Sequence, residues 1–146
     1  MSFASPCRLA AVLSLTVLGC TSLALAVPFT TVDRGVHSGI RETLHAAVRT
    51  PAEWEAVWRR HAGGMATPHV DFAAEMVVAV FAGERRTSGY EIEITRVVAS
   101  AGGLQVTYRE RTPPAGALLL PVLTAPFHVI RLPRADGPVR VVKEPE

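Results

Sequence analysis

Met76-Val77-Val78-Ala79-Val80-Phe81 is the run that decides the fold. It carries no polar side chain and is rich in β-branched and aromatic residues, so it reads as a strand with no face to give to water. Such a strand belongs in the middle of a domain, covered on both sides. The next run has a different pattern. Tyr90, Ile92, Ile94 and Val97 take one side, and Glu91, Glu93 and Thr95 the other. A period of two with acids on one face predicts a half-exposed strand. Between the two runs lies Gly83-Glu84-Arg85-Arg86-Thr87-Ser88-Gly89, where charges and turn-formers sit at the predicted tip of a β-hairpin.

Downstream, Ala101-Gly102-Gly103 predicts another hairpin turn. Leu104, Val106 and Tyr108 then face in, while Gln105, Thr107 and Arg109 face out. Thr112-Pro113-Pro114-Ala115-Gly116 breaks the sheet. Leu118 to Leu123 is apolar and reads as a short strand. Phe127 to Leu132, framed by Pro126 and Pro133, reads as another. Asp136-Gly137 turns the chain, and Val139 to Val142 closes it.

Upstream, Thr50-Pro51-Ala52-Glu53 is a helix start, with Thr50 as N-cap, Pro51 in the first turn and Glu53 closing a capping box. The helix runs to about His61 and is stopped by Gly63-Gly64. Trp54, Val57, Trp58 and His61 form its apolar stripe, and Arg59 and Arg60 suit the negative end of its dipole. Met65 to Asp71 is a loop. Asp71-Phe72, before Ala73-Ala74-Glu75, reads as an N-cap. Ile40 to Val48 sets Ile40, Glu42, Leu44, Ala46 and Val48 on one face as a strand, with a helix as the alternative. Val27 to Val32 is a strand and Asp33 to Gly39 a turn. One helix and about seven strands make an α+β domain, with the helix packed on a mainly antiparallel β-sheet or small β-sandwich.

The chain has 146 residues, 49% of them hydrophobic and 19% charged, which suffices for one domain with a real core. A formal net charge of +2 leaves no field to draw the protein to nucleic acid. Residues 1–26 read as a signal peptide, with Arg8, an apolar stretch from Leu9 to Leu23, and a cleavage site at Ala24-Leu25-Ala26. A competing reading takes Thr16-Val17-Leu18-Gly19-Cys20 as a lipobox, with Cys20 acylated. Both export the protein from a bacterial cytoplasm to the periplasm or the exterior, and only the second holds it on a membrane. The only cysteines are Cys7 and Cys20, so cleavage after Ala26 leaves no disulfide and no thiol chemistry. The remaining chain divides into strands and a turn over 27–48, the main domain over 49–142 and a tail over 143–146.

Little in the sequence carries catalysis. His37, His45, His61, His69 and His128 are scattered, with no pair at metal-binding spacing. Ser88 stands in only half of a nucleophile-elbow frame, and the strand behind it is exposed rather than helical. Asp71, Glu75 and Glu84 are the carboxylates available for acid–base work, whereas Glu91 and Glu93 read as a solvated face. No phosphate loop or dinucleotide fingerprint is present. No catalytic residue, cofactor or metal is therefore expected. The candidate partner-binding residues are Glu84, Arg85, Arg86 and Thr87, at a loop tip where small domains place recognition, with Arg109 and Arg111 nearby. Gly83, Gly89 and Tyr90 shape the turn and anchor the strand, and Trp54, Trp58 and Phe127 belong to the core.

Five pieces occur in order: Trp54-x-x-x-Trp58; Val70-Asp71-Phe72; Met76 to Gly83; Thr87-Ser88-Gly89-Tyr90-x-Ile92-x-Ile94; and Thr124-Ala125-Pro126-Phe127-His128-Val129-Ile130. Together they resemble the C-terminal domain of the protease-complex subunit PrcB family, over about Arg49 to Arg140. That family commonly has Gly at the position of Ser88. The resemblance implies a secreted or lipid-anchored bacterial protein. It also implies a non-enzymatic accessory subunit that stabilises a secreted protease, with no catalytic residues to carry over. A second, weaker likeness is to chagasin-like peptidase inhibitors, through Thr87-Ser88-Gly89-Tyr90 and Pro126-Phe127. A hydrolase using Ser88 with a histidine is the remaining alternative.

Overall fold

The computed structural model describes residues 23–145. Arg8, Cys7 and Cys20, with the leader and lipobox readings that rest on them, lie outside the described residues. The strands are β1 (Leu25–Ala26), β2 (Thr30–Gly35), β3 (Thr43–Val48), β4 (Glu75–Ala82), β5 (Glu91–Ser100), β6 (Gly103–Arg111), β7 (Phe127–Pro133) and β8 (Val139–Lys143), and the helix is α1 (Pro51–Ala62). They form two four-stranded sheets, ordered β1-β5-β6-β8 and β2-β7-β4-β3. All pairings are antiparallel except β6 with β8. The domain is α+β, a sandwich with one helix on its outer face.

β4 explains this layering. It pairs with β3 on one edge and β7 on the other, and its residues alternate between two cores. Val77, Ala79 and Phe81 pack with Phe127, Val129 and the helix residues Trp54 and Trp58. Met76, Val78 and Val80 pack with Ile92, Ile94, Val97, Leu104 and Val106 of the other sheet. The central strand predicted from its unbroken apolar run is thus covered on both sides.

The predicted hairpin between β4 and β5 does not form. Both edges of β4 are already paired, so β5 has no place beside it. β5 joins the opposite sheet and lays Ile92, Ile94 and Val97 over the even-numbered face of β4. The segment 83–90 therefore crosses between sheets. A bulge between Ile94 and Arg96 shifts the β5 register, which is why Ile94 and Val97 share a face. The hairpin at Ala101-Gly102 forms as expected, with Ser100 opposite Gly103.

The helix begins as predicted. Thr50 accepts a hydrogen bond from the Glu53 N–H. The Glu53 carboxylate reaches back to the N–H of Arg49 at 3.0 Å, one residue earlier than a capping box requires. Trp54, Trp58 and His61 are buried, and the indole N–H groups hold the following loop at Pro68 O and Met65 O. Asp71 caps a turn rather than a helix. Its side chain accepts from Ala73 N and its carbonyl from Ala74 N and Glu75 N, after which β4 begins.

Other boundaries also differ. β2 starts at Thr30 and runs through Asp33 to Gly35, residues expected to turn, because it keeps pairing with β7 past a bulge between Thr31 and Asp33. Leu25–Ala26, placed in the leader by the sequence reading, pair with Ala99 and Val98 of β5. Thr107, expected outside, is buried; beside it the Thr95 hydroxyl donates to the Glu144 carboxylate, with Thr107 O a longer contact at 3.3 Å. Leu118 to Leu123 forms no strand. Pro121 has no N–H to offer a ladder.

Candidate functional site

The crossing segment is built by Gly83. Its φ of +80° turns the chain out of β4, and a Cβ there would meet Thr43 N at 3.0 Å and Arg41 O at 3.1 Å. Glu84 N then donates to Arg41 O, and Arg85 and Thr124 exchange backbone hydrogen bonds of 2.7 and 2.9 Å. The Thr124 hydroxyl donates to Thr87 O at 3.0 Å. Ser88 N donates to Leu120 O, and Leu120 N donates to the Ser88 hydroxyl, each at 3.0 Å. Gly89, at φ +97°, brings the backbone against Pro113 and Leu119. A second loop, Ala117–Leu123, is thereby fastened along the crossing segment.

The four residues expected to bind a partner divide. Arg85 is committed to the scaffold. Its guanidinium donates through Nε and Nη2 to Glu110 Oε1, at 3.1 and 2.5 Å, and through Nη1 to Ala82 O. It also lies over the Tyr90 ring, 5.6 Å from its centroid. Burial works against the Glu110 charge, but hydrogen bonds from Arg85 and Lys143 hold its carboxyl below the usual range. Thr87 is half-buried, with its carbonyl engaged. Glu84 pairs with Arg41 at 3.3 Å. Arg86 is exposed, without an ion-pair partner among the described residues. Arg109 and Arg111 pair with Glu93 at 3.0 and 3.6 Å, and the hydrogen bond from Arg109 is the main cause of its lowered carboxyl pKa.

Beside this segment an open cleft of about 330 Å³ lies between His37–Gly39, Arg41, Glu84 and Leu123–Ala125. At its wall is a constellation that sequence reading missed. His61 Nδ1 lies 2.9 Å from the Ser38 hydroxyl, and Nε2 lies 3.1 Å from Asp33 Oδ2. The order Ser–His–Asp invites comparison with a hydrolase triad. The surroundings argue for structure instead. The nearby N–H groups that would form an oxyanion hole are spent: Ser38 N on Ala125 O, Gly39 N on His61 O, and Ile40 N on the Ser38 hydroxyl itself. His61 is 4% exposed and packs its ring on Trp58, Phe81 and Phe127. The network ties the end of α1 to β2 and the following turn. His61 stands 23 residues from Ser38 and 28 from Asp33 in the chain, and only its place on the helix stripe hinted at the contact.

Ser88 has Leu120 N as its side-chain partner, and no histidine bonds it. Phe127, in the inhibitor-like motif, is 4% exposed and lies in the helix-side core. Among the described residues no group of three or more His, Cys, Asp or Glu could hold a metal ion. Leu118 to Leu123, expected to be a strand, carries the large exposed apolar side chains of this region.

Residues 76–133 match the family model described as PrcB C-terminal. The match is narrower than the resemblance read from sequence, starting at β4 and leaving out Trp54, Trp58 and the 70–72 motif. No curated protein and no solved structure matches the chain.

Proposed function

We infer, from the PrcB C-terminal pattern over residues 76–133, that the chain is a non-catalytic accessory domain of an exported bacterial protease complex. The observation that carries the reading is the coincidence of the matched span with β4 through β7. That span includes the crossing segment and the loop fastened to it. The partner is a protein, met by the surface around Glu84, Arg86 and Thr87. The spent N–H groups around Ser38, and a Ser88 hydroxyl bonded to Leu120 N rather than to a histidine, support a binding role over hydrolysis. Export follows from the Leu9–Leu23 stretch with cleavage after Ala26 or acylation at Cys20.

Purification of the tagged full-length chain from the native envelope tests the association, with quantitative mass spectrometry of what accompanies it. A peptidase enriched in near-stoichiometric amount supports the reading, and its absence overturns it. A fluorophosphonate probe that labels Ser38 or Ser88 would replace it with a hydrolase. Cell fractionation tests export, and incorporation of labelled palmitate, lost in Cys20→Ala, tests acylation.

A further inference from the structure

We propose that the loop Ala117–Leu123, with Arg86 at its base, is the docking element: it seats Leu118 and Leu120 in an apolar groove of a protein partner whose rim is acidic. The inference rests on the protease-association reading above and names the surface and the chemistry of that contact.

Four observations lead to it. First, Leu118 is 98% exposed, Leu120 61%, Leu123 57% and Val122 45%. No Asp, Glu, Lys or Arg occurs between Arg111 and Arg131. A contiguous apolar patch of this kind on a soluble domain marks a contact surface.

Second, the loop is ordered before anything binds. Gly116, at φ +80°, closes a turn in which Ala117 N donates to Pro114 O at 3.1 Å. Both backbone groups of Leu120 are held by Ser88. Val122 N donates to Leu120 O at 2.9 Å, and Leu119 turns inward against Gly89. Little conformational freedom remains to be lost on docking.

Third, the local charge is positive once internal pairs are removed. Glu84 is matched by Arg41 and Arg85 by Glu110, which leaves Arg86. A partner with a carboxylate at its rim complements it.

Fourth, the loop lies at the far end from the N-terminal chain. It follows β6 at Arg111, whereas Leu25 pairs with Ala99 beside the Ala101-Gly102 turn. The ten residues of β5 put about 30 Å between these ends. Under the Cys20-acylation reading, a tether through the N-terminal segment would direct the loop away from the tethering membrane, which favours a protein over a bilayer as the occupant.

The experiment places a photo-crosslinking amino acid at Leu118, and separately at exposed Gln105, in the full-length chain expressed in its own host. Adducts are identified by mass spectrometry. Leu118→Ser/Leu120→Ser and Arg86→Glu are made alongside, with melting temperatures recorded. The expected result is an adduct with a peptidase from position 118 and none from 105. Copurification of that peptidase with the chain should fall by about tenfold or more in the double-serine variant, and fall in Arg86→Glu, with unchanged melting. A peptidase adduct from 105 but not from 118 overturns the docking element while the association stands. A peptidase found neither by crosslinking nor by copurification overturns both. An adduct from position 118 with a second copy of the chain, or Leu118-dependent binding to vesicles of phosphatidylcholine and phosphatidylglycerol, overturns the proposed partner class.

Discussion

Met76–Phe81 and Leu118–Leu123 are both six-residue apolar runs, and they end in opposite places. Every residue of the first is fully buried, whereas Leu118 is 98% exposed. Hydrophobicity does not separate them; backbone chemistry and neighbours do. The first run is rich in valine, has an N–H at every position, and finds β3 and β7 at its two edges. The second is leucine-rich and interrupted by Pro121, with Pro113, Pro114 and Gly116 before it. No ladder runs through it; its main chain is held at Ser88 and by its own turns, and Leu118, Leu120 and Leu123 stay outside.

The largest effect separates the two runs directly. Phe81→Ala removes a ring packed on Phe127 and His61, and is expected to cost about 3–5 kcal/mol in denaturant unfolding. Leu118→Ala should stay within about 0.5 kcal/mol, because nothing around it is left empty. Equal costs at the two sites would mean that the loop belongs to the core after all.

The same contrast marks how far sequence alone reaches. The burial of β4, the Thr50 cap and the Ala101-Gly102 turn were legible because each is set by residues close together in the chain. The destination of β5 was not, because it depends on β3 and β7 having already taken both edges of β4. The same holds for Ser38, His61 and Asp33, whose contact needs the helix to land on the sheet. Arg85 and Arg86 are adjacent and alike in sequence. Only Glu110, on a strand of the other sheet, decides that Arg85 is structural. The apolar loop resembles a strand in composition, but Pro121 within it removes an N–H that a ladder needs.

Burial beside β4 also makes stability depend on pH. His128 on β7 is 3% exposed; its Nδ1 accepts the Ile94 N–H at 2.8 Å, and its Nε2 meets the Thr31 hydroxyl at 2.8 Å. Burial, reinforced by the nearby Arg34 charge and opposed by Glu93, lowers its pKa from 6.5 to about 4. Protonated Nδ1 could no longer accept from Ile94. The unfolded chain binds this proton more tightly than the folded one. The stabilisation is therefore complete above pH about 6.5 and is lost as pH falls toward 4, by about 3 kcal/mol in all. His128→Gln should flatten that part of the pH–stability curve. An acid limb unchanged in the variant would assign the loss to another group. The Leu118 loop, with no titrating group of its own, should contribute nothing to the slope.

Arg85 and Arg86 repeat the contrast between buried and exposed at smaller scale. Arg85→Ala leaves Glu110, a carboxylate 12% exposed in its side chain, with Lys143 as its remaining cation. It should lower unfolding free energy by about 2 kcal/mol. Arg86→Ala should change it by less than about 0.5 kcal/mol while weakening partner capture. The reverse ranking would move the docking role to Arg85.

The smallest effect tests whether the loop's order, rather than its composition, makes it competent. Ser88→Ala removes the oxygen that accepts from Leu120 N but leaves the Ser88 N to Leu120 O bond intact. Leu120 N lies at an exposed position where water can replace the lost acceptor. Global stability should therefore fall by about 1 kcal/mol or less. Hydrogen exchange at the Leu120 amide should speed up markedly, while amides of β4 keep their protection. If ordering is what matters, partner capture should weaken although Leu118, Leu120 and Arg86 are all still present. Capture that survives a freely exchanging Leu120 would show that apolar composition alone suffices. The contrast with Met76–Phe81 would then be one of location and not of order, since that run is fixed by its neighbours whatever it binds.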